Sequence, residues 1–179
     1  MDLQLETPRL LLRPLTLCDV GALHALVIDP DVRRWMCDGR VLPEANVRAS
    51  ILRSLASFRW HGAGMFALRL REDGAFAGYA GLRPAQIGGL ELGAAVWPRH
   101  WRQGLAGEAC RAILGDAFDR VGADRVVACA DAPNFRSLAL IARLGFRPLG
   151  NTPGVFGAVR WFALARDDLS VRSPGELGR

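Results

Sequence analysis

The chain has 179 residues, half of them hydrophobic and 23% charged, with a formal net charge of +5. That balance excludes a disordered chain and suits one packed domain of ordinary size. No stretch approaches ~18 consecutive apolar residues, which argues against a membrane span, and the 23 Lys-plus-Arg positions are all arginine, which removes lysine and Schiff-base chemistry.

Taken in chain order, Arg9–Leu15 (RLLLRPL) reads as a short apolar strand. Thr16 with Asp19 three residues on forms a short-armed capping box. The helix it opens carries Ala22, Leu23, Leu26 and Val27 on one face and ends near Pro30. Pro43 and Glu44 start a second helix, whose spacing predicts a buried stripe of Val47, Ile51, Leu52 and Leu55. Gly64–Leu70 and Ala75–Leu82 are strands joined by a turn at Glu72-Asp73-Gly74, and Gly89–Val96 is a third. The strongest helical pattern follows, with Ala106, Ala109, Cys110, Ile113, Leu114, Ala117, Phe118 and Val121 inward and Glu108, Arg111, Asp116 and Asp119 outward. Arg125–Ala130 is a buried strand, Asn134–Leu144 a helix closed by Gly145, and Val159–Ala165 a last strand. This order implies an α/β (α+β) domain, a mixed sheet with helices on both faces. A single domain is expected over 1–169, with a polar tail over 170–179.

Other features bound the function. The opening MDLQLETPRL lacks the apolar core of a signal peptide, so a cytoplasmic location is expected. The arginines are scattered without a basic run, which speaks against a nucleic-acid partner. Cys18, Cys37, Cys110 and Cys129 form no C-x-x-C pair and have no histidine at ligand spacing, so no metal is expected. Cys110 and Cys129 read as reduced residues among apolar neighbours.

The stretch WPRHWRQGLAGEACRAI places Gly104, Leu105, Ala106 and Gly107 where a strand gives way to a helix. Small residues there leave the unpaired N–H groups of the first helical turn open to an anion. Arg99 and Arg102 stand ready to add side-chain contacts. A phosphate-binding P-loop needs a lysine, and the dinucleotide fingerprint G-x-G-x-x-G is absent. A pyrophosphate site and a plain tight connection both remain open on the turn alone.

The run ELGAAVWPRHWRQGLAGEACRAIL resembles the acetyl-CoA signature of the GNAT N-acetyltransferases, in particular the RimJ/RimL branch. LETPRLLLRPLTLCDVGAL is similar to that branch's opening strand and helix, NFRSLALIARLGFR to its N-x-x-S…LGF motif, and RWFALARDDL to its closing strand. The resemblance spans nearly the whole chain. It implies a mostly antiparallel central sheet flanked by helices, with strands splayed at an acetyl-CoA slot. It implies that the N–H groups of Gln103, Gly104, Leu105, Ala106 and Gly107, with Arg102, hold the pyrophosphate. Ala94 and Val96 would pair with the pantetheine amides, and Asn134 and Ser137 would face the sulfur. Asn134 also reads as a helix N-cap.

The implied activity is direct transfer of an acetyl group from acetyl-CoA to a primary amine, whether a small amine, an amino acid or a peptide N-terminus. The alternative is a non-catalytic acyl-CoA-binding module. A membrane partner is not expected, and a homodimer is left open. Removing the amine proton needs a base. Glu91 matches the branch's E-[IL]-G glutamate and is the base candidate, with a solvent-facing or dimer-facing carboxylate as the other reading. Ser137 is the thiolate's candidate partner. Tyr79 is the sole tyrosine and lies on an earlier strand, so the tyrosine acid of many relatives has no counterpart. His24, His61 and His100 are further base candidates. Residues 147–162 contain no Asp or Glu, and Ala94 and Gly107 stand where the branch often has Tyr and Thr. Trp35, Met36, Trp60, Phe66 and Phe156, with Asp29–Arg40, are expected to wall the acceptor side.

Overall fold

The computed structural model describes residues 3–36 and 39–170, with side chains to 168. Cys37, Asp38 and all of the expected tail except Ser170 lie outside the described residues.

Strand β1 (Leu5–Glu6) and β2 (Leu10–Pro14) lead into a short 3-10 turn, then α1 (Val20–Ile28), α2 (Pro30–Arg33) and α3 (Glu44–His61). Three strands follow: β3 (Met65–Leu70), β4 (Phe76–Pro84) and β5 (Leu90–Val96). After them come α4 (Leu105–Asp119), β6 (Arg125–Asp131), α5 (Phe135–Arg143), β7 (Arg147–Gly154), β8 (Gly157–Ala165) and α6 (Arg166–Ser170). The strands form one sheet in the order β1-β2-β3-β4-β5-β6-β8-β7. Every neighbouring pair is antiparallel except β5–β6, which is parallel because α4 carries the chain back across the sheet.

Strand alternation divides the core. Leu12, Leu68, Ala80 and Val126 face α4, whose Ile113, Leu114 and Ala117 are fully buried. Ala67, Tyr79 and Ala95 face the other way, against Leu23 and Leu26 of α1 and Val47 and Ile51 of α3. The mixed sheet covered on both faces is the architecture the sequence predicts.

Several elements differ from expectation. The buried side of α3 is Val47, Ile51, Ser54, Ser57 and Phe58, while Leu52 and Leu55 are exposed. The helix turns this face inward because Phe58 packs edge-on against Phe66 of β3, with ring centroids 5.1 Å apart. Strand β7 was not expected, since RPLGNTPG has neither apolar alternation nor buried residues. It lies at the sheet edge, where Pro148 and Pro153 cost no ladder bond on an inner strand.

Asp19 does more than cap. Its side chain is fully buried and takes Arg13 Nη1 on Oδ2 at 2.7 Å, Arg13 Nη2 on Oδ1 at 2.7 Å and Arg69 Nη2 on Oδ1 at 2.9 Å. The Thr16 N–H and hydroxyl donate to Oδ2 as well. Burial alone would push this carboxyl up, but the Arg13 and Thr16 hydrogen bonds prevail and hold it at about 2. One residue thus ties β2, β3 and the start of α1 together.

Candidate active site

The site begins where two parallel strands part. β5 and β6 pair only at Leu90↔Val126 and Glu91↔Val127, although β5 continues to Val96 and β6 to Asp131. The separation opens a gap in the middle of the sheet. Trp97 N donates to Ala77 O on the β4 side. Alternation therefore sends the backbone groups of Ala94 and Val96 the other way, toward the gap. The Val96 carbonyl accepts a 2.9 Å bond from Trp101 Nε1. The Ala94 amide groups and the Val96 N–H face the gap, where an extended ligand would pair as an added strand.

β5 then runs through a 3-10 turn at Pro98–His100 into the N-terminus of α4. Gly104 is the N-cap, at φ +80°, and Arg102 is the one described non-glycine residue at positive φ, at +62°. Two left-handed residues so close curl the loop, and the amides that enter α4 line a concavity rather than the surface. Leu105 is buried and anchors the turn in the core. A Cβ on Gly107 would touch Leu140 Cδ1 of α5 at 3.5 Å, an ordinary contact, so this glycine is not sterically obligatory.

A single cavity of about 640 Å³ joins these parts. Ala94, Val96, Arg102, Gly104, Leu105, Ala106, Gly107, Asn134 and Ser137, all singled out from the sequence, line it. Asn134 caps α5 by accepting the Ser137 N–H at 3.2 Å and is 7% exposed, so capping and facing the cavity hold together. Gln103 is different. It does not line this cavity; its side-chain Nε2 donates to Arg99 O at 2.8 Å, and its backbone carbonyl accepts Arg9 Nη1 at 2.7 Å. Arg99 also turns away, over the Trp97 ring. It borders a second hollow with Arg9 and Arg71 instead.

The cavity is electrically polar. Arg102, Arg111, Arg136 and Arg143 line its helical end, while Asp31, Val32, Trp35 and Met36 line the end near α2. Arg111, expected to face outward, brings its guanidinium to the Gly107 backbone, where a Cβ would lie 3.7 Å from Nη1. Arg136 of α5 lies 4.1 Å from the Trp101 ring centroid, bridging α5 to the loop before α4. The helical arginines were not recognised from the sequence because they are far apart in it and ordinary in helices.

Glu91 occupies the vertex of the gap. It is 6% exposed and faces the side of the sheet that carries Tyr79 and Ala95, not the solvent. Its Oε1 accepts Arg83 Nη2 at 2.7 Å and the Cys129 thiol at 3.5 Å, and it does not line the cavity. Burial first, and then the nearby Glu91 carboxylate, push the Cys129 thiol up to about 12, so it stays protonated at neutral pH. His100 lines the cavity, but burial and Arg99 lower its pKa, and its Nε2 accepts from Arg99 Nε. His24 Nε2 bonds Leu42 O. Of the expected acceptor wall, Trp35 and Met36 line the cavity, and Phe156 meets Trp35 edge-on at 5.9 Å. Trp60 is 76% exposed on α3 and Phe66 is buried in the core, so neither belongs to it.

A cleft between splayed parallel strands that ends on a glycine-led helix N-terminus is suited to an extended ligand with an anionic end. The chain matches the acetyltransferase (GNAT) domain model over residues 9–147, and it belongs to that family. An N-acetyltransferase of Bacillus subtilis strain 168, YoaA, whose activity is uncharacterised, is 27% identical over 150 residues, covering 82% of this chain and 84% of its own. A GNAT-family acetyltransferase structure from Bordetella pertussis superposes with a TM-score of 0.79 at 25% identity, over 92% of this chain and all of that one. RimL, the ribosomal L7/L12 alpha-N-protein acetyltransferase solved with coenzyme A, superposes with a TM-score of 0.80. At 18% identity, over 93% of this chain and 99% of that one, it speaks for a shared fold. Among the described residues, no helix is long and apolar enough to cross a membrane.

Proposed function

We propose that the protein is an acetyl-CoA-dependent N-acetyltransferase that moves the acetyl group directly to a primary amine. The observation that supports this most is the continuity of one cavity from the α4 N-terminus, along the unpaired edge of β5, to the apolar end at Trp35 and Met36. A nucleotide thioester has that order of parts: anionic phosphates, an amide-bearing arm and a small acyl group.

In this reading the amides of Gly104 to Gly107 hold the pyrophosphate, helped by Arg102 and Arg111. Ala94 and Val96 pair with the arm. The Ala94 N–H, nearer the inner end of the gap, stabilises the oxygen that gains charge as the amine attacks, while the Ala94 carbonyl and the Val96 N–H serve the arm. The carbon–nitrogen bond forms, the carbon–sulfur bond breaks, and the amine loses a proton. Glu91 takes that proton through a water, since its carboxylate lies at the vertex of the gap rather than in the cavity. The Ser137 hydroxyl supports the departing sulfur. The acceptor is a small amine, an amino acid or a peptide N-terminus whose body rests on Trp35 and Met36, with Asp31 attracting its positive charge.

Turnover of acetyl-CoA against a panel of amino acids, polyamines and peptides, read by thiol release, tests this function. Amine-dependent release is expected. Tight binding with no release across the panel would leave an acyl-CoA-binding module instead.

A further inference from the structure

The chain's first strands reach across to the cofactor loop through a contact that the sequence did not suggest. Glu108 lies in the first turn of α4, and its side chain is only 12% exposed. Its Oε1 accepts the Thr7 hydroxyl at 2.6 Å and the Arg9 N–H at 2.9 Å, while Oε2 accepts Arg9 Nε at 2.7 Å and pairs with Arg9 Nη2 at 2.6 Å. Burial opposes the charge, but the Thr7 and Arg9 bonds prevail and hold this carboxyl below the usual range. The remaining arm of the same guanidinium, Nη1, donates to the Gln103 carbonyl at 2.7 Å. Arg9 therefore grips the loop just before α4 and the first turn of α4 at once.

The grip has a directional consequence. No described peptide bond is cis, and in a planar trans peptide the C=O and the following N–H point in opposite directions. Holding the Gln103 carbonyl toward Arg9 turns the Gly104 N–H away from it. Gly104 lines the main cavity, whereas Gln103 and Arg9 border the second hollow. The guanidinium also packs behind the loop, where a Cβ on Gly104 would lie 3.4 Å from Arg9 Nη2. A second consequence is electrostatic. An uncompensated carboxylate beside the α4 N-terminus would repel a pyrophosphate, and Arg9 cancels it from the side away from the ligand.

We propose that Arg9 and Glu108 are positioning residues for the cofactor: Arg9 fixes the outward direction of the Gly104 N–H through the Gln103 carbonyl, and Glu108 anchors Arg9 while its own charge is masked. This rests on the acetyl-CoA reading above. Neither residue touches the reacting atoms, so the effect belongs to recognition of the pyrophosphate.

The test compares Arg9→Ala, Arg9→Lys and Glu108→Gln with the unaltered protein on two donors, acetyl-CoA and S-acetylpantetheine, which lacks the pyrophosphate and nucleotide. Arg9→Ala is expected to raise the KM for acetyl-CoA by roughly tenfold, with kcat and the amine KM within about twofold. Arg9→Lys and Glu108→Gln keep part of the bonding and should fall between. With S-acetylpantetheine, all variants should match the unaltered protein in kcat/KM. Equal losses on both donors, or an unchanged acetyl-CoA KM in Arg9→Ala, would overturn the proposal. Gly104→Glu serves as the control for the reading beneath it. If that variant binds acetyl-CoA normally, the loop is not the cofactor site. If it fails while Arg9→Ala binds normally, the loop assignment stands and only the positioning role is lost.

Discussion

The Glu91 carboxylate lies 2.7 Å from the Arg83 guanidinium, at the last residue where β5 still pairs with β6. Arg83 and Glu91 are cross-strand partners in the β4–β5 ladder, so this ion pair is built into the register. It holds one charged group at the inner end of the gap.

Glu91→Gln is therefore expected to lower kcat by about a hundredfold at neutral pH, the scale of a lost general base. Affinity for acetyl-CoA should stay within about twofold, because Glu91 does not line the cavity. Single-turnover rates alongside equilibrium binding check both halves. An unchanged rate would pass the proton to water or to another group.

The two loop glycines should respond differently to alanine. Gly104 sits at φ +80° with Arg9 behind it, so Gly104→Ala costs about 1–3 kcal/mol of backbone strain and weakens acetyl-CoA binding. Gly107 lies within α4, and an added Cβ meets only an ordinary contact. Gly107→Ala should gain about 0.5–1 kcal/mol in stability from helix propensity and still bind. Thermal melts with and without acetyl-CoA separate the two effects.

Asp19 gives the fold an acid limit. Its folded value of about 2 lies below the ordinary aspartate value of 3.8, so its contribution is present above pH ~4 and is lost as pH falls toward 2. The shift corresponds to about 2 kcal/mol. Asp19→Asn should flatten that part of the stability curve. It should also destabilise by about 2–3 kcal/mol, since the charge-assisted bonds to Arg13 and Arg69 weaken while both guanidinium groups keep access to water. Urea unfolding at pH 3 to 7 reads both.

Ser57 presents the opposite case. Its hydroxyl is buried in α3 and has no hydrogen-bond partner among the described residues. Ser57→Ala removes an unsatisfied polar atom and favours the helix, so a gain of about 1 kcal/mol is expected. A loss of stability on chemical denaturation would show that the hydroxyl has a partner in solution.

Much of the fold was legible because the hydrophobic pattern is strong where elements are buried. Positions 106–121 repeat at helical spacing, and α4 follows them as far as Asp119. The loop at Gly104 was legible because left-handed backbone selects glycine. Strand β7 was not legible, because an exposed edge strand carries no alternation. The stripe on α3 was misread because leucines at helical spacing fit more than one face, and only the packing of Phe58 on Phe66 chose between them.

By itself the sequence determined the family, the order of elements and the place of the glycine-led turn before α4. Those depend on local spacing, on small residues and on motifs that stay contiguous in the chain. The tertiary structure alone decided what meets across long separations. It joined Arg9 to Glu108, gathered Arg13 and Arg69 on Asp19, and brought Arg111, Arg136 and Arg143 to one end of a cavity. It also turned Glu108 from a solvent-facing carboxylate into a largely covered anchor. A single charged residue on a helix carries no local mark of its partner, because an ion pair across the fold is set by how the sheet and helix pack.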